Sequence, residues 1–279
     1  MTDILDSTSL GSDLARSWLL VSARDTGRFQ VAAEGDADEI VLDIEDAVDE
    51  SFKDDARQDV ASWLSDNSAW VRINNHESPF WADDVAELKG FRGLRGVVLA
   101  KVESATAVTE TFIGLGGETP VIALIESALG IEEAVGIARA EGAARLAFGS
   151  GDYRRDTGAS ADDLAMAYPR SRLVIASRIG GLPGPIDGPT VTPGHAPLRE
   201  QSAVGVALGM TGKLCLSDAQ PTVVNEAFSP SRSDVIWARD FLADFDDRGG
   251  VVRDGSDLPR LGRAQRIREL AHAFRLSID

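Results

Sequence analysis

The 279-residue chain holds one cysteine, Cys215, so no intrachain disulfide framework is possible. Flanked by Leu214 and Leu216, it reads as a small core residue rather than a nucleophile. Histidine is nearly as scarce: His76, His195 and His272 stand far apart and form no metal-ligand spacing, so solvated or packing roles are expected. Positive charge is also short, 28 basic side chains against 45 acidic ones, a formal charge of −17. Such a field repels phosphate backbones, and no dense basic patch interrupts it, which excludes nucleic acid as a partner. An anionic substrate would need a local cationic pocket working against that field. Long apolar runs are missing too: near the start the longest is Trp18–Val21, after acidic residues. That is too short for a signal or a membrane span, so the expectation is a cytoplasmic protein without membrane contact.

What is present is core-forming. Hydrophobic residues make up 43% of the chain, enough to bury a sizeable interior. The stretch Pro120–Ser127 (PVIALIES) is a short apolar run that ends abruptly in Glu126, and an amphipathic pattern follows. A run of that length and composition predicts a strand buried on both faces. An unpaired buried charge is costly, so a carboxylate at its exit points to a site. The same unit recurs at Ser17–Ala23, Glu39–Asp46, Trp70–Asn75, Gly96–Glu103, Arg145–Asp152, Leu173–Arg178 and Met210–Asp218. Helical patterns fill most intervals, among them Thr26–Glu34, Ala56–Leu64, Ala82–Lys89, Ala105–Phe112 and Ile131–Glu141. Eight such repeats predict a closed (β/α)8 TIM barrel. The Gly- and Pro-rich residues 180–200 are expected to form a long loop over the barrel mouth. Residues 1–13 read as a loose arm, and two helical patterns after Phe228 as a C-terminal helical extension. The expected division is therefore 1–228 and 229–279, the second part packing on the barrel or on a neighbouring subunit.

Polar residues gather at the strand exits: Asp43, Glu45 and Asp46, then Arg72 and Asn74, Lys101 and Glu103, Glu126, Asp152, and Arg178. In a barrel those exits share the face where the βα loops build a site. Glu126 and Asp152, from adjacent units, offer the few hard oxygen ligands that suit Mg²⁺; the bland reading is that each pairs with an Arg or caps a helix. The glycines of Gly149-Ser150-Gly151-Asp152 favour the functional reading for Asp152, because they let the backbone turn close to a ligand. The fork of Arg72 matches a substrate carboxylate, or else an ion pair with Asp43 or Glu45. Asp43, Glu45 and Asp46 would fix Arg72 and a metal-bound water. Lys53 and Arg57, at helical spacing, read as a solvated face.

VLDIEDAV with the following Lys and Ala-Arg at 41–57, VRIN at 71–74, AKVES at 100–104, ALIES at 123–127 and FGSGDYRRDTG at 148–158 resemble the citrate lyase β-subunit group of the HpcH/HpaI aldolase superfamily. So do 168–189 and 212–231, and the order is collinear over nearly the whole chain. The resemblance implies a Mg²⁺-dependent barrel, commonly trimeric. It would make or break carbon–carbon bonds in 3-hydroxyacyl-CoA thioesters such as malyl-, citramalyl- or citryl-CoA, giving acetyl-CoA or a similar product and a 2-oxo acid. It makes Glu126 and Asp152 the metal ligands and Arg72 the binder of the oxo-acid carboxylate. Arg24 and Arg28 would contact the CoA phosphates. Asp257, in Asp257-Leu258-Pro259, would handle the proton on the thioester α-carbon from a neighbouring subunit. Arg72, Asp257 and Asp46 are thus the expected catalytic set, and Arg72, Arg24, Arg28, Lys101, Asp43 and Glu45 the substrate-binding set.

The chain departs from the pattern in three places. Ser22-Ala23 replaces Pro-Gly after the first strand, Ala100-Lys101 replaces Pro-Lys, and Leu216-Ser217-Asp218 stands where the group carries Ile-His-Pro. Three other readings follow: a CoA-independent 2-oxo-acid aldolase of the same superfamily, a non-catalytic barrel that binds metal or acyl-CoA, and a citrate lyase subunit acting on a carrier-bound thioester.

Overall fold

The computed structural model describes residues 10–276. Parallel strands and helices alternate: β1 (Ser17–Ser22), α1 (Gly27–Ala33), β2 (Glu39–Asp43), α2 (Lys53–Leu64), β3 (Ala69–Ile73), α3 (Trp81–Leu88), β4 (Leu94–Leu99) and α4 (Ala105–Gly114). There follow β5 (Val121–Ile125), α5 (Ala128–Ala138), β6 (Ala143–Phe148), α6 (Ser150–Thr157), α7 (Asp163–Gly180), β7 (Ile186–Asp187), α8 (His195–Leu208), β8 (Gly212–Cys215) and α9 (Pro221–Ala227). The eight strands close in sequence order, β1 pairing β8, as the TIM barrel expectation requires. Alternate residues point inward: Trp18, Val41, Trp70, Val98, Ile122, Leu124, Ala147, Ile186 and Leu214 make one buried cluster that fills the barrel.

The floor of the barrel carries a buried polar knot. Arg145, fully buried, donates to the carbonyls of Ser12 (3.1 Å), Ala15 (2.9 Å) and Gly184 (2.7 Å) and to Thr211 Oγ1 (2.8 Å). Of the arm expected over residues 1–13, residues 1–9 lie outside the described residues, whereas Ser12 belongs to this floor.

The seventh strand is where the structure corrects the sequence reading. Leu173–Arg178 lies inside α7, so Arg178 ends no strand. Met166, Pro169, Arg170, Leu173, Ala176 and Ser177 are buried at the three- and four-residue spacing of a helix, Asp162 caps its start through the Ala165 N–H, and Gly181 ends it at φ 74°. The true β7 is two residues, Ile186–Asp187, inside the stretch expected to be a mouth loop. That stretch also yields the start of α8, with His195 as its first residue.

The chain divides into two compact units, Gly11–Ala227 and the part from Phe228 onward. The second is a helix pair, α10 (Arg232–Asp247) and α11 (Asp257–Ala273), joined through Val235, Ala238 and Leu242 against Ala264, Ile267 and Ala271. Asp257 opens α11, which places Pro259 in the first turn, where a missing N–H costs nothing. Among the described residues no helix is long and apolar enough to cross a membrane.

Candidate active site

The exits of β2 to β6 deliver the site residues to one mouth. Arg72 grips Asp43 with two hydrogen bonds, Nε to Oδ1 at 2.8 Å and Nη2 to Oδ2 at 2.5 Å, and its Nη1 lies 3.5 Å from Glu45 Oε2. Burial works against the guanidinium charge, but Asp43 and Glu45 more than offset it, so Arg72 stays cationic. Both readings of Arg72 from the sequence are therefore open at once: it is ion-paired, and it stands at the mouth.

Lys101 sits at φ 51°, in the left-handed region that a residue with a Cβ adopts only when its surroundings enforce it. In that conformation its N–H donates to Glu126 Oε1 at 2.9 Å. Its Nζ donates to Glu45 Oε1 and to Asp46 Oδ1 and Oδ2, the latter two at 3.0 and 2.9 Å. Lys101, the residue of this pair that keeps the group's pattern, thus ties the tips of β2, β4 and β5 together.

Glu126 is 5% exposed and lies against Gly149, where an added Cβ would stand 2.2 Å from Glu126 Oε2. Burial, then the charge of Asp152, push its carboxyl up to about 8. Asp152 is in the first turn of α6, with Arg155 Nη2 3.0 Å from its Oδ1. Glu126 and Asp152 border one cavity of about 230 Å³, together with Lys101, Glu103 and Ser127. Two mutually repelling carboxylates facing one cavity form a donor set that fits a hard divalent cation. Among the described residues no group of three or more His, Cys, Asp or Glu is placed to hold a metal ion.

The sequence reading missed the frame behind Arg72. Lys53 and Arg57 are buried, not solvated. Lys53 Nζ donates to the carbonyls of Ile44 (2.9 Å) and Glu45 (2.8 Å) and to Asn74 Oδ1 (2.8 Å). Asp84 accepts from the Asn74 N–H (3.0 Å), Asn74 Nδ2 (2.7 Å) and Arg57 Nε (3.0 Å). The backbones leaving β2 and β3 are locked to each other just beyond Asp43 and Arg72. The signal was available, because Lys53 and Arg57 share the helix face of Ala56, Val60, Ala61 and Leu64.

The other expected residues have partners of their own. Arg24 stacks over the Phe52 ring at 3.9 Å, and Arg28 pairs with Asp218, its Nη2 at 2.9 and 3.0 Å from the two carboxylate oxygens. Asp257, in the helical pair, accepts from the Arg253 N–H (2.8 Å) and from Arg248 Nη1 (3.1 Å), contacts that hold its carboxyl below the usual range.

The model of the HpcH/HpaI aldolase/citrate lyase family matches residues 16–218, and that of the HpcH/HpaI aldolase C-terminal domain matches 233–275. The chain belongs to that family. Among its relatives, human mitochondrial citramalyl-CoA lyase is 30% identical over 93% of this chain and 86% of its own. The L-malyl-CoA/β-methylmalyl-CoA lyase of Rhodobacter capsulatus is 30% identical over 77% of this chain and 79% of its own. Of solved family structures, CitE from Mycobacterium tuberculosis in complex with magnesium, acetoacetate and coenzyme A superposes with a TM-score of 0.79 at 28% identity, covering 93% of this chain and 99% of that one.

Proposed function

We propose that this carbon–carbon lyase cleaves or forms 3-hydroxyacyl-CoA thioesters of the malyl, citramalyl or citryl type, using Mg²⁺ held by Glu126 and Asp152. The observation that carries the reading is the convergence of those two carboxylates on one cavity, at the mouth that also holds Arg72. The relatives that act on malyl- and citramalyl-CoA, and the CitE complexes with magnesium, support it. When bound, the ion supplies Lewis-acid polarisation of substrate oxygens.

The chain's own residues do the rest. Arg72, its fork fixed by Asp43 and Glu45, binds the oxo-acid carboxylate. The Lys101 N–H and the open side of Gly149 orient Glu126. In the cleaving direction the hydroxyl proton passes to Asp46, and the electron pair of the breaking bond moves to the thioester as an enolate. Asp257, reaching in from a neighbouring subunit of a homotrimer or higher homo-oligomer, in its protonated form gives the enolate its α-carbon proton in the cleaving direction, and as carboxylate takes that proton in the condensing one. Held ionised by Arg253 and Arg248, it suits the proton-accepting role of the condensing direction. Arg24 and Arg28 take the CoA phosphates; the exposed Arg28–Asp218 pair contributes little to stability and yields to them.

Arg72→Ala is expected to lower kcat/KM for malyl- or citramalyl-CoA by about 10²–10³-fold, measured as glyoxylate or pyruvate release with Mg²⁺ present. Full turnover in that variant, or no cleavage of any of these thioesters by the native protein, would contradict the proposal. Gly149→Ala is expected to weaken Mg²⁺ binding by roughly 10–100-fold, because its Cβ must displace the Glu126 carboxylate. A calorimetric Mg²⁺ titration indistinguishable from the native one would show that Glu126 is not held this way.

A further inference from the structure

A second cavity, of about 240 Å³, opens beside the first. Asn75, His76 and Glu77, from the turn after β3, wall one side, and Lys101, Glu103 and Ala107 wall the other. Lys101 and Glu103 border both cavities. The lobe therefore continues the cavity of Glu126 and Asp152 past the exit of β4 toward the turn after β3, the strand that carries Arg72, and offers room for a substituent on an oxo acid held in the first cavity.

The charges of the lobe are one-sided. Lys101 is already taken by Glu45 and Asp46. The His76 ring packs on Trp81 with centroids 4.5 Å apart, and its Nε2 lies 2.7 Å from Glu110 Oε2. Glu103 accepts from Ser127 Oγ at 2.5 Å, and neither Glu103 nor Glu77 has an ion-pair partner among the described residues. Two uncompensated carboxylates therefore face a space whose described lining offers no free cation. An uncharged substituent meets no penalty there, whereas a second carboxylate meets like charge in a partly desolvated setting.

We infer that this lobe receives the substituent on the carbonyl carbon of the 2-oxo acid and restricts the protein to oxo acids with a single carboxylate. Within the proposed function, on which the inference rests, glyoxylate- or pyruvate-releasing thioesters are then substrates and oxaloacetate-releasing citryl thioesters are not.

The test compares pyruvate, 2-oxobutanoate and freshly dissolved oxaloacetate binding to the full chain with Mg²⁺ by calorimetry. 2-Oxobutanoate and oxaloacetate differ only in a methyl against a carboxylate. Oxaloacetate is expected to bind at least about 10-fold more weakly than 2-oxobutanoate, about 1.4 kcal/mol. Glu77→Lys, a surface change, is expected to close or reverse that ratio. Equal affinities in the native protein, or a ratio that Glu77→Lys leaves unmoved, would overturn the inference. Failure of all three acids to bind would strike the metal-site reading itself, and the inference would fall with it.

Discussion

Glu126→Gln is expected to abolish Mg²⁺-dependent turnover, a loss of about 10³-fold or more in kcat/KM, while making the metal-free protein more stable at pH 8. The two effects have opposite signs because one carboxylate serves opposite ends. As a ligand it supplies a hard anionic oxygen that an amide replaces poorly. As a buried group without its ion it is a liability, since burial and the charge of Asp152 push it up to about 8 from an ordinary value of 4.5. The glutamine keeps the acceptor for the Lys101 N–H and sheds the charge.

The sign of the pH dependence follows. A carboxyl that holds its proton more tightly in the folded chain contributes stability that is complete below about pH 4.5 and is lost as pH rises to about 8. The metal-free native protein should lose on the order of a few kcal/mol across that window from Glu126. Glu39, buried at the barrel floor and pushed up to about 7, adds a slope of the same sign. The difference between native protein and Glu126→Gln therefore isolates the site, measured as denaturation midpoints between pH 5 and 8 without metal. Adding Mg²⁺ should raise the midpoint of the native protein alone. A Glu126→Gln protein that still turned over with Mg²⁺ would remove Glu126 from the ligand set.

Most of the barrel was legible because seven of its strands are short apolar runs that stop at a charged or polar tip, and a buried parallel strand has no other way to look. The same rule produced the one false strand. LVIASR at 173–178 is apolar and β-branched, but it continues a helical period that starts at Met166. The true β7 hides because only two residues pair, between glycines and prolines that read as loop. At the site, Glu126, Asp152 and Arg72 were legible from their positions at strand exits. What was not legible was the pairing within the ion-pair frame: the burial of Lys53 and Arg57 could be read from their share of the apolar face of α2, but their acceptors at the exits of β2 and β3 and on α3 could not. Lys101 belongs to the same class. Its charge was visible, but its left-handed backbone, which aims the N–H at Glu126, depends on tertiary packing.

Asp187→Ala is expected to have the largest effect on stability, because β7 has so little ladder of its own. Asp187 is fully buried, and its carboxylate accepts from Arg170 Nε at 2.8 Å, Arg170 Nη2 at 3.2 Å and Lys213 Nζ at 3.1 Å. Lys213, on β8 and equally buried, also donates to the Gly188 carbonyl at 2.7 Å. Burial raises the carboxyl, but Lys213 and then Arg170 more than reverse this and hold it below its usual range. The triad's contribution is thus present above about pH 4 and lost only as pH falls below it. Alanine would leave the buried Lys213 without its counter-charge and Arg170 with only the exposed Asp163, 4.0 Å from its Nη1, at a cost of about 3–5 kcal/mol. For a unit of this size the melting temperature should fall by roughly 10 °C. Activity should fall with it, because Gly188 packs against Ser150 at the head of α6, the helix that carries Asp152. Replacing all three members together, Asp187→Leu with Lys213→Met and Arg170→Met, is expected to recover most of the lost stability, since no uncompensated charge remains. A single Asp187→Ala protein melting within about 2 °C of the native one would mean that β7 is held by its neighbours' packing and not by this triad.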